Sequence, residues 1–367
     1  PPDVRAHILR HFRPSKDSLP SSLDALLASS LLPNLPHGHK GSSGKILIVG
    51  GSPLFTGAPY YAALSALRSG ADLCTVCCDV SAAPSIKGYS PELMVDGCWD
   101  GSADGEFDSD LVSERVLARA VGMNAVVLGP GLGRDHPGVA TAAKKIVRGL
   151  LVREEKKYGG VVVVVDADGL DLFRSDPSLI ACGRTGRRLV LTPNANEYRK
   201  LSEAYTRFAD GLPERVQNLE ETVASVVSNR HDSEHEIVIV RKGAVDIISS
   251  INDGGSPEKA LSCLETGGLK RPGGIGDVLA GCIAAMAVHA FVAKNIRMKE
   301  KKVRREEENK GSDEQASPLQ LACYAGCVLT RRATAEAWNK RHRAVTAPDI
   351  LDEVGKALWE MEKQGEE

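Results

Sequence analysis

Val161 to Val165 is five valines in a row. A continuous β-branched run of this length is a strand buried on both faces, which requires a sheet covered by helices on each side. Similar short apolar runs recur at Lys45–Gly51, Leu73–Cys78, Ala125–Leu128, Leu189–Leu191 and Ile237–Val240. Helical patterns fall between them. Residues 58–70 open with Pro59 and close on Gly70, a suitable first turn and C-terminal cap. Residues 137–152, a segment from about Asn196, and the late segments 276–294, 317–339 and 348–363 also read as helices. Strands alternating with helices predict an α/β chain with a doubly wound, mostly parallel central sheet flanked by helices. Ligands of such sheets bind outside the carboxyl ends of the strands.

Composition narrows the function. A net charge of −2 over 367 residues gives no basic footprint for nucleic acid, and 4% aromatics gives no base-stacking platform. No apolar run is read as a membrane span of roughly 20 residues. The nine cysteines include six inside apolar runs: Cys74, Cys77, Cys78, Cys282, Cys323 and Cys327. That is the pattern of buried free thiols in a reducing compartment, which points to the cytoplasm, with mitochondria as the alternative. Cys74-x-x-Cys77 has no second ligand pair at zinc spacing and reads as strand. Residues 1–36 form an N-terminal extension with a short helical pattern at 21–31. Arg5, Arg10, Arg13 and Lys16 fit either the tail of a transit segment or a linker. Residues 37–363 are expected to be one catalytic domain. Two segments read as peripheral: an acidic, glycine-rich loop at 96–110 and a charged surface insert at about 297–316.

Chemistry concentrates at the strand ends. The loops there are Gly50-Gly51-Ser52, Gly129-Pro130-Gly131-Leu132-Gly133, Asp166-Ala167-Asp168, Thr192–Glu197 and Arg241–Asp246. A further stretch, Gly267 to Gly281, packs six glycines and one proline into fifteen residues before an apolar helix. Glycines there admit a ligand close to the backbone, and the free N–H groups of the helix start form an anion site. Asp277 lies where that anion would sit, so it is the candidate to take a proton from a hydroxyl receiving a phosphoryl group. Asn194-x-x-Glu197 is the candidate for organising a magnesium ion, or Asn194 or Asn196 caps the next helix; the two roles are compatible. Asp166 and Asp168 are caps or site carboxylates. His39 and Lys40 supply positive charge or lie in a solvated loop. Neither G-x-x-x-x-G-K-[ST] nor G-x-G-x-x-G is present, which counts against a P-loop enzyme and a Rossmann dehydrogenase.

Taken in order, the loops resemble one family, the ATP-dependent NAD(P)H-hydrate dehydratases of ribokinase-like fold. The shared motifs are H-K-G at 39–41, I-V-G-G-S at 48–52, F-T-G-A-P-Y-Y-A-A at 55–63 and L-R-S-G-A-D-L at 67–73. They continue with Y-S-P-E-L at 89–93, G-P-G-L-G-R-D at 129–135, D-A-D-G-L at 166–170 and L-T-P-N-A-N-E at 191–197. K-G-A-V-D at 242–246, G-G-I-G-D-V-L-A-G at 273–281 and V-T-A-P-D-I-L-D-E-V-G at 345–355 complete the set. The resemblance implies ATP-dependent phosphorylation of the hydroxyl on (6S)-hydrated NADH or NADPH, followed by loss of phosphate. It implies Asp277 as catalytic base.

By position, it places ATP against Lys242, Gly243, Ala244, Val245 and Asp246, and against the turn Gly267, Gly268, Leu269, Lys270, Arg271, Pro272, Gly273, Gly274, Ile275 and Gly276. It places the hydrated dinucleotide against Gly131, Asn194, Ala195, Asn196, Glu197, Tyr198, Arg199, Lys200 and Asp277. Mg²⁺ is the implied cofactor, near Glu197 through water, with ATP as co-substrate. A separate NAD(P)H-hydrate epimerase is the implied functional partner, and a homo-oligomer is compatible. Ile275 stands where relatives often have a polar residue. The alternative reading is a ribokinase-like kinase for a vitamin-precursor alcohol, which would release a stable phosphate ester.

Overall fold

The computed structural model describes residues 40–101, 107–134, 136–152, 160–182, 188–209, 218–228, 236–252, 260–304 and 316–363. The extension at 1–36, His39 and Asp135 lie outside the described residues. One nine-stranded sheet runs through the structure, in the order β3-β2-β1-β4-β5-β6-β7-β8-β9. The strands are β1 (Lys45–Val49), β2 (Leu73–Asp79), β3 (Met94–Trp99), β4 (Ala125–Leu128), β5 (Val162–Val165), β6 (Arg188–Leu191), β7 (Glu236–Arg241), β8 (Asp246–Asn252) and β9 (Leu261–Cys263). From β3 to β7 every pairing is parallel; β8 and β9 add antiparallel to the far edge. Strand order reverses beside β1, whose Ile46 pairs with Cys74 on one side and Ala125 on the other. That reversal opens a crevice at the carboxyl ends of β1 and β4.

Each valine of β5 is buried, and alternate residues feed two separate cores. One face carries α1 (Gly57–Arg68), α2 (Ala83–Tyr89), α8 (Ile275–Arg304), α9 (Pro318–Arg341) and α10 (Ala347–Lys363). The other carries α3 (Ser109–Arg119), α4 (Pro137–Val152), α5 (Asp168–Ser175), α6 (Ala195–Phe208) and α7 (Leu219–Ser228). The doubly wound expectation is met on both faces.

Three expectations need correction. The stretch 96–110 is not one loop. Asp96–Trp99 belongs to β3, where Asp96 accepts from Arg115 and Arg119, and Asp108 caps α3 by accepting from Asp110 and Leu111 N–H. Side-chain pairing allowed an acidic segment to enter an edge strand. The helix predicted over 276–294 continues to Arg304, so the charged run at 297–316 begins as helix. Lys, Glu and Arg are good helix formers, so charge alone did not end it. Residues Ile275–Val292 form a stretch of mean hydropathy 1.9, long and apolar enough to cross a membrane by length and composition. In this fold 72% of the stretch is buried, as the core helix between α1 and α9. The described cysteines are all free.

Candidate active site

Helix α8 starts directly after Gly274, which has φ +93, a conformation that favours glycine. A side chain there would also strike the Tyr61 ring at 2.7 Å and Ala347 at 2.9 Å. The anion turn is therefore backed by an aromatic ring from α1 and by the start of α10. Tyr61 itself is half-buried. Burial pushes its hydroxyl above the ordinary value, and Tyr60, Tyr89 and Asp277 push in the same direction. Ile275 turns its side chain to the core beside α8, so it packs the helix start and leaves the anion site to backbone N–H groups.

Asp277 occupies the first turn of α8. Burial raises its carboxyl to about 7; Asp166 and Asp168 add to the rise and Lys242 opposes it. A carboxylate near neutrality is a far better proton acceptor than an ordinary one.

The surroundings come from the predicted loops. Asp166 is buried at the end of β5; its Oδ1 accepts from Lys242 Nζ at 2.6 Å and from the Thr192 hydroxyl at 2.7 Å. Burial alone would lower the Lys242 ammonium, yet Asp166 beside it holds it above the ordinary value. Lys242 N–H donates to Pro193 O at 2.8 Å, which ties β7 to the Thr192–Glu197 loop. Ala167 has φ 49, strained backbone for a residue with a Cβ. Beyond that kink, Asp168 accepts from Gly133 N–H at 3.0 Å and Arg134 Nε at 2.6 Å. Gly131 has φ +62 and stands against Phe55 and Ala58, with its carbonyl accepting from Gly51 N–H at 3.1 Å. The loops after β1 and β4 thus meet at the reversal in strand order.

Asn194 is an N-cap. Its side chain accepts from Asn196 and Glu197 N–H, and Glu197 Oε2 accepts from Asn194 N–H at 2.8 Å, a reciprocal capping box. Burial raises Glu197, while the Asn194 N–H and Lys242 lower it. Asn194, Ala195, Asn196 and Lys200 are exposed at the start of α6. Tyr198 instead points its hydroxyl to Glu220, and Arg199 pairs with Glu203 at 2.6 Å on its own helix.

On the other side, Gly243–Asp246 turns tightly. Asp246 is buried, with Gly243 N–H on Oδ1 at 2.9 Å and Arg331 Nε on Oδ2 at 2.6 Å. Arg331 also donates to the carbonyls of Gly243, Ala244 and Glu265. Gly267 and Gly268 lie on α9, where a Cβ would meet Thr334 at 2.8 and 2.5 Å. Arg271 donates to Gly243 O and Lys270 to Arg343 O, closing the turn over the loop. Leu269 is 82% exposed and Gly273 faces open space. Pro272 is half-buried, and Val245 lies in the turn between Ala244 and Asp246. Thr192 opens one of the expected strand-end loops, and its hydroxyl bond to Asp166 gives it a specific place there. Arg331 was not expected from sequence: it sits mid-helix without a motif, and only its buried carboxylate partner reveals it.

The arrangement is a glycine turn at a helix start with Asp277 on its first turn, bordered by Asp166, Asp168, Glu197 and Lys242. The family model for NAD(P)H-hydrate dehydratase matches residues 46–356. A bovine (Bos taurus) ATP-dependent (S)-NAD(P)H-hydrate dehydratase is 38% identical over 320 residues, covering 87% of this chain and 83% of the relative.

The chain belongs to the NAD(P)H-hydrate dehydratase family.

Solved structures agree on the fold. A ribokinase-like superfamily protein from Enterococcus faecalis superposes with a TM-score of 0.60 at 19% identity, covering 94% of this chain and 99% of its own. The Bacillus subtilis ADP/ATP-dependent NAD(P)H-hydrate dehydratase, co-crystallised with ATP/Mg²⁺, gives 0.58 at 19% identity, covering 94% and 99%. The ribokinase-like expectation therefore holds for this family member.

Proposed function

We propose that this chain uses ATP to dehydrate (6S)-hydrated NADH and NADPH back to NADH and NADPH, with Asp277 as the base. Family membership supports the reaction. The observation that carries the assignment to this crevice is Asp277, raised to about 7 on the first turn after Gly274. Asp277 takes the proton of the hydrate hydroxyl, and that oxygen attacks the γ-phosphorus of ATP as ADP departs. N–H groups at Gly274 to Gly276 face the transferring phosphoryl, where negative charge accumulates. Hydroxide is a poor leaving group and phosphate a good one. The ring nitrogen lone pair then expels phosphate, the C–O bond breaks, and loss of a ring proton restores the double bond.

ATP lies along Gly243–Asp246 and Gly267–Gly276, which Arg271 and Arg331 hold together. The dinucleotide lies along Gly131 and the start of α6. The donor set fits Mg²⁺: half-buried Glu197 is raised by burial, so a hard cation would relieve it. Glu197 would hold the ion through water, and the ion would neutralise phosphate oxygens. A separate epimerase interconverting the hydrate epimers, and a homo-oligomeric state, complete the proposal.

Incubation with ATP, Mg²⁺ and (6S)-hydrated NADH tests it. The NADH absorbance band should return with one ADP and one phosphate released per NADH. Accumulation of a stable phosphate ester without NADH would instead establish a small-molecule kinase.

A further inference from the structure

Among the described residues, the Asp166–Lys242 ion pair touches the helix start carrying Asp277. A Cβ placed on Gly276 would lie 3.3 Å from Lys242 Nζ and 3.4 Å from Asp166 Oδ2. The pair is therefore packed beneath the residue that precedes Asp277. Both charges are withdrawn from solvent: the Asp166 side chain is 2% exposed and that of Lys242 19%. Three constraints hold them there. Thr192 donates to the same Asp166 oxygen as Lys242. The Asp166 backbone N–H donates to Leu128 O. The Lys242 backbone is pinned to Pro193.

We propose that Asp166 and Lys242 are positioning residues that set the charge state of Asp277, and with it the pH range in which the enzyme turns over. This rests on the dehydratase reading above for its kinetic consequence. It does not need that reading for its electrostatic one. Asp277 faces Asp166 and Asp168 from the β5–α5 turn, Lys242 from the end of β7, and Tyr61 from α1. Glu197 adds its field at Lys242. Of these, Asp166 and Lys242 act in opposite senses at close range through little solvent. Asp168 has its charge shared with Arg134, which blunts it. The pair thus holds Asp277 between two limits. With Asp166 alone, the base would stay protonated at neutral pH. Burial raises the carboxyl in either case, and Lys242 alone would draw it back toward the ordinary carboxylate range.

The pair has a signature that a purely structural salt bridge lacks. Removing either partner breaks the same bond, but the two removals shift Asp277 in opposite directions. Asp166→Asn deletes a negative neighbour and frees the ammonium, so the acidic limb of kcat/KM should move down by about one pH unit, the scale of one close partly buried charge. Lys242→Met should move it up by about as much, and Lys242→Arg, which keeps the charge, should leave it nearly in place. The same shifts should appear in the ¹³C carboxyl titration of Asp277 in nucleotide-free protein, which requires no substrate.

Opposite shifts in the two single variants support the proposal. Shifts of the same sign, or unmoved limbs with equal losses of melting temperature, overturn it. If Asp166→Asn does not fold, Lys242→Met against Lys242→Arg still decides, since a purely structural pair would lose stability in Lys242→Met without moving the limb. If hydrated NADH is not a substrate at all, the dehydratase reading fails while the carboxyl titration still judges the pair.

Discussion

Two buried ion pairs flank the crevice, and they are built differently. Arg331 and Asp246 form a closed knot. The guanidinium donates to the carboxylate and to three backbone carbonyls, and the second carboxylate oxygen takes the Gly243 N–H. Its donors and acceptors are consumed in shaping the 243–246 loop. Lys242 and Asp166 form an open pair. A point charge meets one oxygen, and the other oxygen faces Gly276 at the base of the anion turn. A planar fork suits the first task and a compact ammonium the second. The loop knot holds shape, and the open pair supplies field.

This contrast can be broken most severely at the knot. Arg331→Met leaves Asp246 buried without its partner, so thermal unfolding should show a loss of about 3–5 kcal/mol, the usual scale for a broken buried pair. The pH limb of the surviving activity should stay put. A shifted limb with little loss of stability would erase the distinction between the two pairs.

The field of the open pair should next be visible in stability. Asp277 is protonated more readily in the folded than in the unfolded protein, so its contribution is fully present below the ordinary carboxylate range and disappears as pH rises through about 7. Asp277→Asn should therefore stabilise the fold at pH 8 by on the order of 2–4 kcal/mol and hardly at all at pH 4. Equal melting temperatures of variant and parent at pH 8 would show that Asp277 is not under the strain described.

The smallest effect concerns the hinge of the open pair. Ala167→Gly should relieve the positive φ and stabilise by about 1 kcal/mol. It should also loosen Asp166 and broaden the acidic limb. No gain in stability would mean that the turn carries no strain.

Much of this was legible in sequence, for identifiable reasons. Strands buried on both faces announce themselves by continuous β-branched runs, and Val161–Val165 did so. β3, β8 and β9 did not. They are edge or antiparallel strands holding Asp96, Ser249, Ser250 and Ser262, whose polar side chains find partners or solvent only in three dimensions. Asp277 was legible because a carboxylate after a glycine turn is chemically conspicuous. The capping role of Asn194 was one of two compatible readings, and α6 shows that role. Arg331 was hidden because a basic residue inside a helix looks like surface until its carboxylate is found 85 positions away. Ile275 looked out of place for a phosphate turn. Its half-buried side chain packs against the core, which accounts for an apolar residue there.

The central claim is that Asp277 removes the proton from the hydrate hydroxyl. The most direct measurement is the rate at which NADH absorbance returns from (6S)-hydrated NADH with ATP and Mg²⁺, for the parent and for Asp277→Asn, with ATP affinity measured alongside. The variant should bind ATP nearly as before and recover NADH roughly 10²-fold more slowly or worse, the scale of a lost general base. Recovery at the parental rate would contradict the account.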